Sequence, residues 1–127
     1  IENLTKGYDN IEVKGWVSNG EYIDLLSRCT ATIYVPVNED SGISPVESMA
    51  AGKPCIVSDE GGVTETITDK VTGLHVKVNE NTIIKAVDWL DTNRAGKMRN
   101  SCIKRAEKFS EENFIKEMKS QIKVMVK

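Results

Sequence analysis

The sequence predicts an α/β fold, a parallel sheet flanked by helices, and three observations carry that expectation. Short β-rich runs alternate with amphipathic helical stretches along most of the 127 residues. The runs at 31–36 (ATIYVP) and 55–58 (CIVS) are almost continuously apolar, as strands covered on both faces are, whereas a half-exposed strand would alternate. The connections are a few residues long and rich in Gly, Pro, Ser and Asn, which suits repeated β-α units with right-handed crossovers.

Taken in order, residues 11–17 (IEVKGWV) alternate apolar and polar positions and predict a first strand. Ser18 followed by Glu21 is a capping box that opens a helix running to about Arg28. The apolar run 31–36 is the second strand, and a polar loop from Asn38 to Gly42 follows it. Ser44 is the expected N-cap of the next helix with Pro45 at its first position; the helix continues through Ala51, and Gly52 supplies a left-handed stop before Pro54. Residues 55–58 form a third strand, Gly61 and Gly62 a turn, 63–67 a short helix, and 71–78 a turn with a fourth strand. Asn81 is expected to cap a helix ending near Leu90. Residues 91–95 read as a linker, dividing a sheet domain at 1–93 from basic amphipathic helices at 94–127 that pack on it.

Composition narrows the function. With 17 Lys and Arg against 19 Asp and Glu, and 39% hydrophobic residues, this is an ordinary soluble domain. Neither an apolar run near the ~20 residues that span a bilayer nor an N-terminal apolar segment is present, so a cytoplasmic location is expected. Three cysteines, Cys29, Cys55 and Cys102, lack metal-ligand spacing and read as small core residues. Charge is uneven: residues 1–93 carry −8 and residues 94–127 carry +6. The basic tail has the sign to touch an anionic surface, so peripheral contact with the inner face of a membrane is an expectation. The stronger reading is solvated faces of amphipathic helices, because Ile103, Phe109, Phe114, Ile115, Met118 and Ile122 recur at helical spacing between the basic residues. A slightly acidic chain without an aromatic-and-basic motif is not expected to bind nucleic acid.

The segment from Glu39 to Glu47 (EDSGISPVE) carries the chemistry. It places one carboxylate in a loop and another in the first turn of the following helix. A helix start presents unpaired N–H groups to an anion, Gly42 admits a close backbone approach, and carboxylates accept hydrogen bonds from sugar hydroxyls. That set suits a nucleotide sugar, with its diphosphate and its hydroxyl-bearing rings. Glu47 has a competing structural explanation, because Ser44 to Glu47 is itself a capping box. Gly61 and Gly62 serve equally as a tight turn, Glu65 as a first-turn acid, Lys53 as a solvated turn residue, and His75 as a structural strand residue.

Glu39-x7-Glu47, together with Pro45, residues 48–54 (SMAAGKP), residues 56–58 (IVS), Gly61-Gly62-x-x-Glu65 and Thr72-Gly73-Leu74-x-Val76, resembles the C-terminal, donor-binding domain of family 4 retaining glycosyltransferases of the GT-B fold. Val13-x-Gly15-x-Val17 fits the same pattern upstream. The resemblance implies an incomplete Rossmann-like sheet, since in that family two strands lie between those corresponding to 11–17 and 31–36. Strands 31–36, 55–58 and 73–78 are then expected to pair in parallel as a block, with 11–17 standing off or collapsing on the edge of 31–36. It further implies that Glu39 contacts the donor sugar and stabilises the oxocarbenium-like transition state. Asp40, Ser41, Gly42, Ile43 and Ser44 approach sugar and phosphate, Glu47 holds the ribose, and Trp16 and Val17 lie near the base. The donor would be a nucleoside diphosphate sugar, with no cofactor and no metal. The acceptor, a glycan or lipid, would be held by an N-terminal domain that this chain lacks along with the basic residues that grip the diphosphate, so the chain alone is expected to be inactive. The family usually has an aromatic residue before the glycine, where this chain has Ser41. The alternatives are a GT-B nucleotide-sugar epimerase and a non-catalytic nucleotide-binding or structural Rossmann-like module.

Overall fold

The computed structural model describes residues 2–38 and 40–126. Along the chain come α1 (Asn19–Arg28), β1 (Thr32–Tyr34), α2 (Ser44–Ala50), β2 (Cys55–Ser58), α3 (Val63–Thr66), β3 (Gly73–Val76), α4 (Glu80–Trp89), α5 (Thr92–Glu107) and α6 (Glu111–Met125). The three strands form one parallel sheet in the order β1-β2-β3, with Ile33 opposite Ile56 and Ile56 opposite Leu74. All four residues of β2 are buried, as a central strand covered on both faces must be. The expected parallel block is therefore present, with both edge strands shorter than the expected 31–36 and 73–78.

Residues 11–17 are not a strand. Ile11, Val13 and Trp16 are exposed, and Gly15 takes φ +61°, which breaks the extended path. Alternating side chains make a strand only when a neighbour accepts their backbone bonds, and no described strand lies beside this one. The segment is held instead by local charge, the Lys14 ammonium lying 2.6 Å from Glu12 and 3.9 Å from Glu21.

Helix starts follow the sequence at one end of the chain and depart from it elsewhere. Ser18 caps α1 by accepting from the Glu21 N–H. Asn79, two residues before the expected Asn81, caps α4 by accepting from Thr82; the Thr82 hydroxyl, which donates to the Lys77 carbonyl, secures the earlier start. Residues 91–95 are not a linker: Asp91 caps α5 by accepting from the Arg94 N–H, and Ala95 is already buried.

The core joins sheet and helices. Met49, Cys55, Ile56, Val57, Val63, Ile67, Leu74, Ala86, Leu90, Met98 and Cys102 form one buried cluster. Long α5 contributes Ala95, Met98, Cys102 and Ala106, spaced for one helical face. It runs past the amino ends of the strands, since the Arg99 guanidinium donates to the Ala51 carbonyl, the Cys102 thiol to that of Thr72, and Arg105 to that of Thr66. No described residue of α6 is buried.

Candidate functional site

The carboxyl ends of β1 and β2 each release a loop, and the two loops meet. Tyr34 ends β1, and the chain returns from its loop at Gly42, which lies so close to the Tyr34 ring that a Cβ there would fall 2.5 Å from its Cε1. Ser58 ends β2, and Gly61 turns the chain at φ +78° into Gly62 at the head of α3. A Cβ on Gly62 would sit 1.6 Å from the Asp40 carbonyl oxygen. The loop after β1 therefore rests on bare backbone of the loop after β2, and only glycine permits that approach. The carboxyl ends of parallel strands are where ligands of such sheets bind.

Of the residues singled out by sequence, Asp40 and Gly42 are brought to this junction. Ser41 and Ile43 flank them, both exposed. Glu39 lies outside the described residues. Ser44 is the first residue of α2 rather than its cap; Ile43 occupies the cap position and makes no side-chain capping bond. The reason lies in the backbone: Ile43 is already in the right-handed region at φ −78°, ψ −27°, so the helical turn begins one residue early. The capping-box explanation of Glu47 falls with it. Glu47 points instead across to α1, where its Oε2 accepts a 2.9 Å hydrogen bond from the Tyr22 hydroxyl.

That bond joins the two helices over an open groove of ≈ 630 Å³, lined by Asn19, Tyr22, Ile23, Leu26, Ser27, Glu47, Ala50 and Ala51. Burial, and then the Glu47 carboxylate that accepts its hydrogen bond, push the Tyr22 phenol above its ordinary value. Tyr22 is the residue that sequence reasoning missed. Its signal was weak but present, since it lies on the same face of α1 as Leu25 and Leu26, which are also partly buried. Trp16 is fully exposed and Val17 partly so.

His75 has a structural position: its ring Nε2 lies 2.8 Å from the Ile67 carbonyl and its backbone N–H donates to the Asp69 carboxylate. Cys55 and Cys102 are buried and Cys29 partly so, all three as free thiols. Among the described residues no cluster of three or more His, Cys, Asp or Glu converges as metal ligands. No helix among them is long and apolar enough to cross a membrane.

Comparison with known proteins gives a consistent result. Residues 3–109 match the profile of the family described as "Glycosyl transferases group 1". The chain is similar to the alpha-1,3/1,6-mannosyltransferase ALG2 of Dictyostelium discoideum, 44% identical over 64 residues that make up 50% of this chain and 13% of that protein. The human ALG2 mannosyltransferase is 43% identical over 56 residues, 44% of this chain and 14% of that one. An uncharacterized glycosyltransferase of Methanocaldococcus jannaschii is 30% identical over 87 residues, 67% of this chain and 25% of its own length. In structure the chain is similar to the sucrose-phosphate synthase of Thermosynechococcus elongatus, with a TM-score of 0.78 at 25% identity, covering 98% of this chain and 33% of that one. The matched stretches thus span a third or less of each of these proteins.

Proposed function

We propose that this chain, which belongs to the group 1 glycosyl transferases, is the donor half of a family 4 retaining glycosyltransferase and holds a nucleoside diphosphate sugar at the carboxyl ends of β1 and β2. The observation that carries the reading is the seating of Asp40 on Gly62, which brings the start of the 40–47 segment against the Gly61–Gly62 turn at the carboxyl ends of β1 and β2. The match of fold to the carboxyl-terminal half of GT-B enzymes, through the synthase, supports it.

Within this reading Glu39 faces the donor sugar and stabilises positive charge developing at the anomeric carbon. The backbone N–H groups from Gly42 to Ser44 approach the diphosphate. Because α2 has only seven residues, backbone N–H groups at its approach and first turn, rather than a long helix dipole, are what this segment offers. Glu47 holds the ribose hydroxyls, and its bond to Tyr22 fixes the carboxylate for that task while leaving its second oxygen to the ligand. Trp16 and Val17 supply candidate contacts to the base. The departing diphosphate is met by N–H groups and basic side chains rather than a bound cation. The mannosyl transfer named for the relatives carries over here as hexosyl transfer to a glycan or lipid acceptor held by an N-terminal domain, on the cytoplasmic side of a membrane.

One observation favours a second reading. The Tyr22–Glu47 bond would also serve as a plain strut between α1 and α2 in a structural module. Titrating nucleoside diphosphates into the labelled chain, and following the amides from Gly42 to Glu47, separates the two. Saturable shifts at those amides, weakened in Glu47→Gln, support donor binding. No shift with any nucleoside diphosphate overturns it in favour of the strut.

A further inference from the structure

At the opposite end of the strands lies a separate, polar cavity. It has a volume of ≈ 240 Å³ and is lined by residues from three separate places: Arg28 with Cys29 and Thr30 after α1, Gly52 with Lys53 before β2, and Thr92, Ala95, Gly96 and Arg99 of α5. Three cations line it and no carboxylate does. The neighbouring acids are already engaged, Asp24 by the Arg28 guanidinium at 2.7 Å and Asp91 by Arg94. Arg99 spends one donor on the Ala51 carbonyl and lies over the bare backbone of Gly52, where a Cβ would meet its Nη1 at 2.6 Å. Gly52 at φ +75° thus both turns the chain and admits the guanidinium. Among the described residues no ion pair is made by Lys53 or Arg99.

We propose that this cavity binds a phosphate group, with Lys53, Arg99 and Arg28 as its charge partners and the Thr30 and Thr92 hydroxyls beside them. Arg28 is already paired with Asp24, whereas Lys53 and Arg99 line the same cavity with no ion pair among the described residues, so the positive charge of those two is left for an anion to neutralise. A planar guanidinium held in place by a carbonyl and a glycine is oriented for the forked hydrogen bonding that phosphate oxygens favour. The volume is several times the roughly 30 Å³ share of one water in the liquid, enough for a phosphate with part of its hydration. The cavity sits at the amino ends of the strands, so a ligand here does not compete with one at the Asp40–Gly62 junction. The same chemistry is offered by free orthophosphate and by a phosphomonoester headgroup on a lipid surface.

The test is a titration of the whole chain with sodium phosphate at constant ionic strength, sodium chloride serving as the control, followed through the backbone amides of Thr30, Lys53, Thr92 and Gly96. The expected result is saturable shifts at these amides that chloride does not produce, with affinity about tenfold weaker in Lys53→Gln. Arg28→Gln, at the exposed end of α1, is expected to weaken binding as well, and retained spectral dispersion confirms that either variant is folded. A parallel sedimentation with phosphatidylcholine vesicles, with and without a phosphoinositide monophosphate, separates the sources. Phosphate shifts without vesicle binding assign a soluble ligand, and vesicle binding abolished by Lys53→Gln assigns a headgroup. Absence of both, or shifts that chloride reproduces or that Lys53→Gln leaves unchanged, overturns the site.

Discussion

Single residues decide the candidate site. Glu47→Gln keeps an acceptor for Tyr22 but loses the charge offered to ribose, so nucleoside diphosphate affinity is expected to fall about tenfold or more, by calorimetric titration, with the urea midpoint nearly unchanged. Glu39→Gln in the complete enzyme is expected to lower turnover while sparing nucleotide affinity, because its partner is the sugar; an unchanged turnover number would count against that role. Tyr22 gives a pH signature. Its phenol is raised in the folded state by burial and by Glu47, so its stabilising effect is complete below the unfolded value of about 10 and is lost as pH rises through the folded value. The stability difference between the parent chain and Tyr22→Phe, about 1 kcal/mol at neutral pH, is therefore expected to shrink in strongly alkaline buffer, read from urea melts across that range. A difference constant with pH would mean that the phenol is not raised in the folded state.

Among elements, packing against backbone separates glycines that cannot change from one that can. Gly73→Ala would place a Cβ 1.9 Å from the Cys55 carbonyl oxygen, between β2 and β3; a loss of about 3 kcal/mol is expected. Gly96, inside α5 with open space around its Cα, is the contrast, where alanine is expected to add about 1 kcal/mol through helix propensity; paired thermal melts check both. Elements held by local chemistry were legible in the sequence: the Ser18 cap, the Gly52 stop and the buried strand 55–58 stand where residue type places them, and the strand expected at 73–78 begins at Gly73 but ends at Val76. Elements whose identity depends on a partner were not. Residues 11–17 have the pattern of a strand and no strand to pair with among the described residues, and the α2 cap fell to Ile43 because backbone conformation, not side-chain chemistry, begins that turn. The candidate site was legible as a segment, through Gly42 and Glu47, whereas its support from Gly62 and Tyr22 required the fold, since both contacts join residues more than twenty positions apart.

Across the whole molecule, stabilisation is concentrated between the sheet and α5. The thiols of Cys55 and Cys102, buried there, are pushed up to about 11 by desolvation, so alkylation at neutral pH is expected to modify Cys29 first and the other two only on unfolding, as peptide mass spectrometry would show. Helix α6 lies at the other extreme: with no buried residue described, its removal after Ser110 is expected to shift the urea midpoint little. The three-stranded sheet gives this gradient a kinetic form. Among the described strands β2 alone has a hydrogen-bonded strand on each side and is buried along its whole length, so its amides are expected to exchange by global rather than local opening. The amides of α6 and residues 11–17 exchange through local fraying instead, and the spread between those two rates measures how much of the chain's stability its central strand reports.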